Sequence, residues 1–183
     1  DQNVLIAVLD ASGKEIARVS LDPNEPESAE TGRYFIVANA PPQADAKSKW
    51  DAAFTEAKRS DRKVWVRIGQ RYCGPCFLLS RWLDDHSEAL EKDYVMLKID
   101  NTRDQYGQQS TDRVTGAKGG LGVPFHAIFD SSGQRLIDSE SPLGNIGHPS
   151  SYEGRRHLTK MLRTTRQKLT DAEIQTIVDS LAE

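Results

Sequence analysis

The sequence predicts an α/β sandwich with a mixed sheet, and three observations carry that expectation. Trp50, Ala53, Phe54 and Ala57 recur at i, i+3, i+4 and i+7, one apolar face of an amphipathic helix. Two β-branched runs, "KVWVRIG" (63–69) and "YVMLKID" (94–100), flank a helix-like "CFLLSRWLDD". A hairpin pattern followed by two capped helices closes the chain.

In chain order, residues 1–44 read as a small β appendage with a linker. "VLIAVLDASGKEIARVSL" holds two β-prone runs around Asp10-Ala11-Ser12-Gly13, a hairpin signal with glycine where positive φ is expected. "DPNEPESAETG" is polar and proline-bearing, a loop; "RYFIVA" (33–38) reads as a third strand, ended by the turn-forming "NAPP". The main domain then runs from 45 to 183. Its helix around Trp50 leads into the buried strand 63–69, which ends in glycine. After the strand 94–100 comes a Gly-rich connection, 101–122, with "GAKGGLG" at its end as a flexible segment that either shapes substrate access at residues 123–124 or is a neutral surface insertion. "VPFHAIFDSSGQRLIDS" is a second hairpin turning at Ser131-Ser132-Gly133, and "PLGNIGHPSS" a second long connection. Capping boxes at Ser150–Glu153 and Thr170–Glu173 open helices that bury Leu158, Met161 and Leu162, then Ile174, Ile177, Val178 and Leu181. The two hairpins share Asp-x-Ser-Gly. A favourable turn sequence accounts for that; so does a first hairpin that ends an earlier, related domain.

The 183 residues are enough for one ordinary domain with a real core plus decoration. Hydrophobic residues at 37%, charged residues at 28% and a net charge of −3 from interspersed acids and bases describe a solvated globular surface. With no basic face or polybasic run, nucleic acid is not an expected partner. No apolar run reaches the roughly 20 residues that span a bilayer. The chain begins at Asp1, which fits a processed chain or a fragment; a removed signal peptide would favour a bacterial extracytoplasmic location over the cytoplasm. A monomer is expected.

The chemistry concentrates in "RYCGPC", which holds both cysteines of the chain, Cys73 and Cys76. A Cys-x-x-Cys that follows a strand and opens a helix places its first sulfur where free N–H groups and the helix dipole stabilise an anion. Two intervening residues let Cys76 attack a mixed disulfide formed by Cys73. Pro75 suits the first helical turn, where its missing N–H costs little. Three readings compete. Zinc needs about four ligands, and the histidines at 86, 126, 148 and 157 are scattered with no second ligand pair. A structural disulfide closing so small a ring constrains the unfolded chain weakly. Reversible redox chemistry is the third.

From about Trp50 to Leu181 the chain resembles thioredoxin-fold proteins, and "WDAAFTEAKRSDRKVWVRIGQRYCGPC" is similar to the extended bacterial thioredoxin-like family. The resemblance rests on Cys-Gly-Pro-Cys, the motif of thioredoxin itself, and on Gly122-Val123-Pro124 about 50 residues later, the position of that family's cis-proline. It implies a central mixed sheet flanked by helices, with the N-terminal β appendage added. It also implies a thiol–disulfide oxidoreductase with no cofactor beyond a redox-active Cys73–Cys76 disulfide and no metal. Its partners would be protein disulfides and an unidentified electron donor or acceptor. Cys73 would be the nucleophile and Cys76 the resolving thiol, with Tyr72, Gly74, Pro75, Val123 and Pro124 meeting the substrate. Gly147 is the candidate for the family's glycine near the dithiol, and His148 beside it would titrate near neutrality. Taken without the resemblance, the Val123–Pro124 bond is expected to be trans. The alternative function is a redox-silent binding or adaptor module on the same fold.

Two departures stand out. The family's buried aspartate six residues before the first cysteine is Arg67 here, and its partner lysine falls at Met96. Arg67 snorkels to the surface, or pairs with a carboxylate such as Glu56, or lowers the pKa of nearby thiols. Arg71, beside Tyr72, would likewise favour a thiolate at Cys73.

Overall fold

The computed structural model describes residues 3–9, 14–39, 43–117 and 122–182, in two compact units, residues 1–42 and 43–183. The turn Asp10–Gly13, most of "NAPP" and the centre of "GAKGGLG" lie outside the described residues.

The first unit is a hairpin, β1 (Val4–Leu9) antiparallel to β2 (Glu15–Leu21), followed by α1 (Ser28–Ala38). The expected third strand, "RYFIVA", is therefore the end of a helix. What turns toward the hairpin is not alternate residues but Ser28, Gly32, Phe35 and Asn39, at helical spacing, while Tyr34, Ile36 and Val37 point to solvent. Gly32 makes the approach possible, because a Cβ there would stand 2.9 Å from Leu21 Cδ1. The loop expected over the preceding residues ends at Ser28, whose hydroxyl donates to the Asp22 carbonyl at 2.5 Å.

In the second unit α2 (Ala46–Ser60) starts at Asp45, whose carboxylate accepts from the Lys47 and Ser48 N–H groups, and ends at left-handed Asp61. It is followed by β3 (Lys63–Gly69), α3 (Gly74–Asp85), α4 (Ser87–Leu90) and β4 (Tyr94–Asp100). The connection expected to be irregular contains a further helix, α5 (Gly107–Thr115). Its polar sequence hides the helix, which buries only Gly107, Ser110, Val114 and Thr115. Then come β5 (Phe125–Phe129), β6 (Arg135–Asp138) and the short pair β7 (Glu140–Ser141) and β8 (Gly144–Asn145). The chain closes with α6 (Tyr152–Thr165), α7 (Asp171–Asp179) and a 3₁₀ turn, Ser180–Ala182.

The main sheet runs β4-β3-β5-β6, with β3 parallel to β4 and antiparallel to β5, and is a mixed sheet as expected. Strand alternation divides the core in two. Val64, Val66, Ile68, Phe125, Ala127 and Phe129 face α2, where Trp50 stacks on Phe54 at 4.9 Å and meets Phe129 edge-on at 5.6 Å. Trp65, Tyr94 and Ile128 face the other way, onto Leu79, Leu83, Leu158, Met161 and Leu162 of α3 and α6. At about 25 cal/mol per Å² of buried apolar surface, these two layers supply most of the drive to fold. Fully buried Asp93, just before β4, accepts from the Gln167, Lys168 and Leu169 N–H groups at 2.7–3.0 Å, tying the α6–α7 connection to the sheet.

The capping box at Thr170 forms as expected. The one expected at Ser150 does not: Ser151 caps α6 by accepting from the Gly154 N–H, and Glu153 pairs with Arg156. Pro149 and two consecutive serines leave the frame ambiguous by one residue, and the extended backbone of Ser151 settles it.

Candidate functional site

β3 delivers the chain to the sheet's end at Gly69, and Gln70–Tyr72 turn it into α3, so the N-terminal turn of α3 carries both sulfurs. Cys73 is the helix N-cap, with extended backbone, and its sulfur accepts from the Cys76 N–H at 3.1 Å. Pro75 occupies the first turn, as expected. The two cysteines form a disulfide, S–S 2.05 Å, with Cys73 half-buried and Cys76 buried. This geometry suits an exposed attacking sulfur and a protected resolving one.

Val123–Pro124 is a cis bond, and Cys73 Sγ lies 3.8 Å from the Val123 carbonyl oxygen. Fold position thus overrides the expectation of trans that the dipeptide alone supports. A cleft of about 550 Å³ lies along this seam, lined by Pro75, Leu78, Val123, Pro124, Gly147 and His148 among others. Gly147 has φ +54° and packs against Pro124, where a Cβ would approach Pro124 Cδ to 3.9 Å. Burial lowers the His148 pKa from its ordinary value, which favours the neutral ring.

A second cleft of about 610 Å³ opens on the other side of the sulfurs, lined by Arg67, Gln70, Tyr72, Cys73, Gly74, Cys76, Phe77, Ser80 and Asp100. Tyr72 stands at the rim, 83% exposed, with φ +58°. Holding a non-glycine residue there costs about 1 kcal/mol and presents a flat ring beside the sulfurs. Phe77 and Leu78 extend this apolar rim. The Arg71 guanidinium sits over the Tyr72 ring, 5.7 Å from its centroid, and Arg71 lines neither cleft.

Arg67 does not pair with Glu56, which is taken by Arg59 and Arg62. It is half-buried and turns into the second cleft, across the face of Gly69. A Cβ on Gly69 would meet Arg67 Nη1 at 2.1 Å and Cys76 Cβ at 3.4 Å, so the absent side chain is what lets the guanidinium lie beside Cys76. Burial lowers the Arg67 pKa, while Asp100, Asp84 and Asp104 oppose that, and the side chain stays charged at any ordinary pH. Met96 opposes Trp65 in the ladder; the lysine across from Arg67 is Lys98, which pairs with Asp84. Where the resemblance implies a buried acid, Arg67 thus stands beside a second cation, Lys98, with carboxylates around them.

One residue that the sequence does not advertise is Asn145. Its amide donates to the carbonyls of Gly122 at 2.7 Å and Pro124 at 2.9 Å, bracketing the cis bond. Its oxygen accepts from the Ser139 hydroxyl at 2.7 Å and the Gly147 N–H at 3.2 Å. Ser139 in turn accepts from the His126 N–H at 3.0 Å. An asparagine in a glycine-bearing loop usually marks a turn, and nothing local distinguishes this one. Among the described residues, no group of three or more His, Cys, Asp or Glu could hold a metal ion.

Residues 45–131 match the family model described as thioredoxin-like. No curated protein matches the chain. Among solved structures, a disulphide isomerase from Xylella fastidiosa Temecula1 is 17% identical over 79% of this chain and 97% of its own, with a TM-score of 0.48. Thioredoxin NaTrxh from Nicotiana alata is 16% identical over 70% and 98%, with a TM-score of 0.47. A mutant thioredoxin from Halobacterium salinarum NRC-1 is 19% identical over 69% and 92%, with a TM-score of 0.42.

Proposed function

We propose that this chain, whose residues 45–131 match the thioredoxin-like family model, is a thiol–disulfide oxidoreductase acting on protein disulfides through Cys73 and Cys76. The observation that carries this reading is the Cys73 sulfur at the N-terminus of α3, 3.8 Å from the Val123 carbonyl. An extended substrate segment pairing with the Val123 backbone would bring its own disulfide onto Cys73.

In the reducing direction the Cys73 thiolate attacks a substrate sulfur. A Cys73–substrate disulfide forms, the substrate disulfide breaks, and one substrate sulfur leaves as a thiolate that takes up a proton. Cys76 then loses its proton and attacks Cys73, closing the internal disulfide and releasing the second substrate thiol. Two electrons pass to the substrate, and a donor dithiol must return them to the pair. Tyr72, Gly74, Pro75 and Val123–Pro124 form the substrate-meeting rim in this reading.

A Gly-Pro centre favours the reducing end of the range, where thioredoxin lies at about −270 mV. Arg67 works the other way. A cation beside Cys76 stabilises the thiolate and therefore the reduced pair, which makes the disulfide a better oxidant than one resting on a buried acid. The Cys76→Ser variant tests the cycle, since without the resolving thiol Cys73 should hold substrates as mixed disulfides visible by mass spectrometry. Failure to trap any protein, together with no reduction of insulin by the wild type, would favour the adaptor reading.

A further inference from the structure

The two hairpins match strand for strand. In the first, Val8 faces Ala17 and Leu9 faces Glu15, with the register shift between Val8 and Leu9. In the second, Ile128 faces Ile137 and Phe129 faces Arg135, with the shift between Ile128 and Phe129. A shared turn sequence explains a shared register. It does not explain why the surroundings also match on one side: each hairpin is followed by a helix, and Ile6 and Leu21 meet α1 at Gly32 as Ile128 packs in the core that α6 helps to form.

On the other side they part company. The register makes Leu5, Ala7 and Leu9 the counterparts of Phe125, Ala127 and Phe129. Phe125 and Phe129 are 1% and 4% exposed beneath α2, whereas Leu5 and Leu9 are each 57% exposed. β5 also has β3 along its second edge, while β1 belongs to a two-stranded sheet and its second edge is unpaired among the described residues. A two-stranded hairpin is marginal alone, and an open apolar edge strand invites wrong pairing. What is missing from the first unit is therefore the equivalent of α2 and β3.

We propose that residues 4–38 are the closing β-β-α part of a second thioredoxin-type sheet. Its missing layer is a segment preceding β1 in the same polypeptide. That segment would supply a β-branched strand, antiparallel along the free edge of β1, and an amphipathic helix over Leu5, Ala7 and Leu9. The chain order is the one that the second unit uses itself, where α2 and β3 precede β5, β6 and α6.

Hydrogen exchange on the 183-residue chain, and on the polypeptide extended through its natural upstream sequence, tests this. In the extended protein the Val4–Leu9 amides should exchange slower by about a hundredfold or more, approaching those of β5. Leu9→Asp should lower the unfolding midpoint of the extended protein and leave the 183-residue chain unchanged. Equal exchange in both proteins, or a reading frame with no room for a helix and a strand before Val4, overturns the proposal. So does protection in the 183-residue chain that rises with its concentration, which would make a second copy the occupant.

Discussion

At the scale of single residues, the pairing of the two cysteines was legible because their spacing and their place after a glycine-ended strand put both sulfurs in the first turn of one helix. Arg67 was legible only as a departure. Its identity says cation, but that it faces Cys76 rather than solvent depends on strand alternation and on the bare surface of Gly69. That dependence gives a paired test. Arg67→Met removes the charge, and Gly69→Ala leaves it but drives the guanidinium away. Both should make the pair more reducing, by about tenfold in the exchange constant with glutathione, or about 30 mV. Arg67→Lys should recover part of the difference, and an unchanged potential in all three would remove Arg67 from the site. His126 offers a second test. It is fully buried opposite Arg67 in the ladder, and burial pushes its pKa down to about 3, with His157 and Arg67 adding to the effect. Neither ring nitrogen stands in hydrogen-bond geometry, although the Gly147 backbone lies near enough to favour the charged form. The unfolded chain takes up that proton near pH 6.5, so between about 6.5 and 3 the unfolded state binds more protons and stability falls as pH falls. The full window is worth on the order of 5 kcal/mol. His126→Phe should flatten this limb in denaturant titrations at pH 7 and pH 4, and a limb unchanged in slope would assign the acid loss to other groups.

At the scale of elements, β3 and β4 were legible to the residue because each is a short run with β-branched residues between turn signals, and β3 is largely buried on both faces. α1 was not, since the aromatic and β-branched content of its last turns favours a strand until Gly32 and Leu21 are known to touch. α5 escaped notice for the opposite reason, being too polar to show a periodic face. The β7–β8 connection shows what local reading cannot reach, because Asn145 takes its importance from two carbonyls more than 20 residues earlier in the chain. Asn145→Ala leaves those carbonyls and the Ser139 hydroxyl without their partner, at a cost of about 1–2 kcal/mol. If the Val123–Pro124 backbone receives substrate, its loosening should lower kcat/KM for a protein disulfide about tenfold, while reduction of the Cys73–Cys76 bond by dithiothreitol changes less than about twofold. Equal losses with both reagents would mean that Asn145 supports the dithiol itself rather than the clamp.

At the scale of the whole molecule, the sequence separates an N-terminal appendage from the main domain because the hairpin pattern shares no periodic apolar face with the segment beginning at Asp45. The contacts divide the chain between residues 42 and 43. Both hydrophobic clusters of the second unit draw only on residues from Ala46 to Leu181. Both clefts beside the sulfurs are likewise lined from Arg67 onward. A chain beginning at Gln43 should therefore unfold cooperatively, with a midpoint within about 2–4 °C of the parent, a shift of no more than about 1 kcal/mol for a domain of this size. Its insulin-reduction rate should stay within about twofold, because transition-state stabilisation is expressed by groups it retains. A tenfold loss of rate at unchanged stability would give the first unit a direct part in substrate recognition. A lowered midpoint with unchanged rate would show that it braces the domain without entering the chemistry.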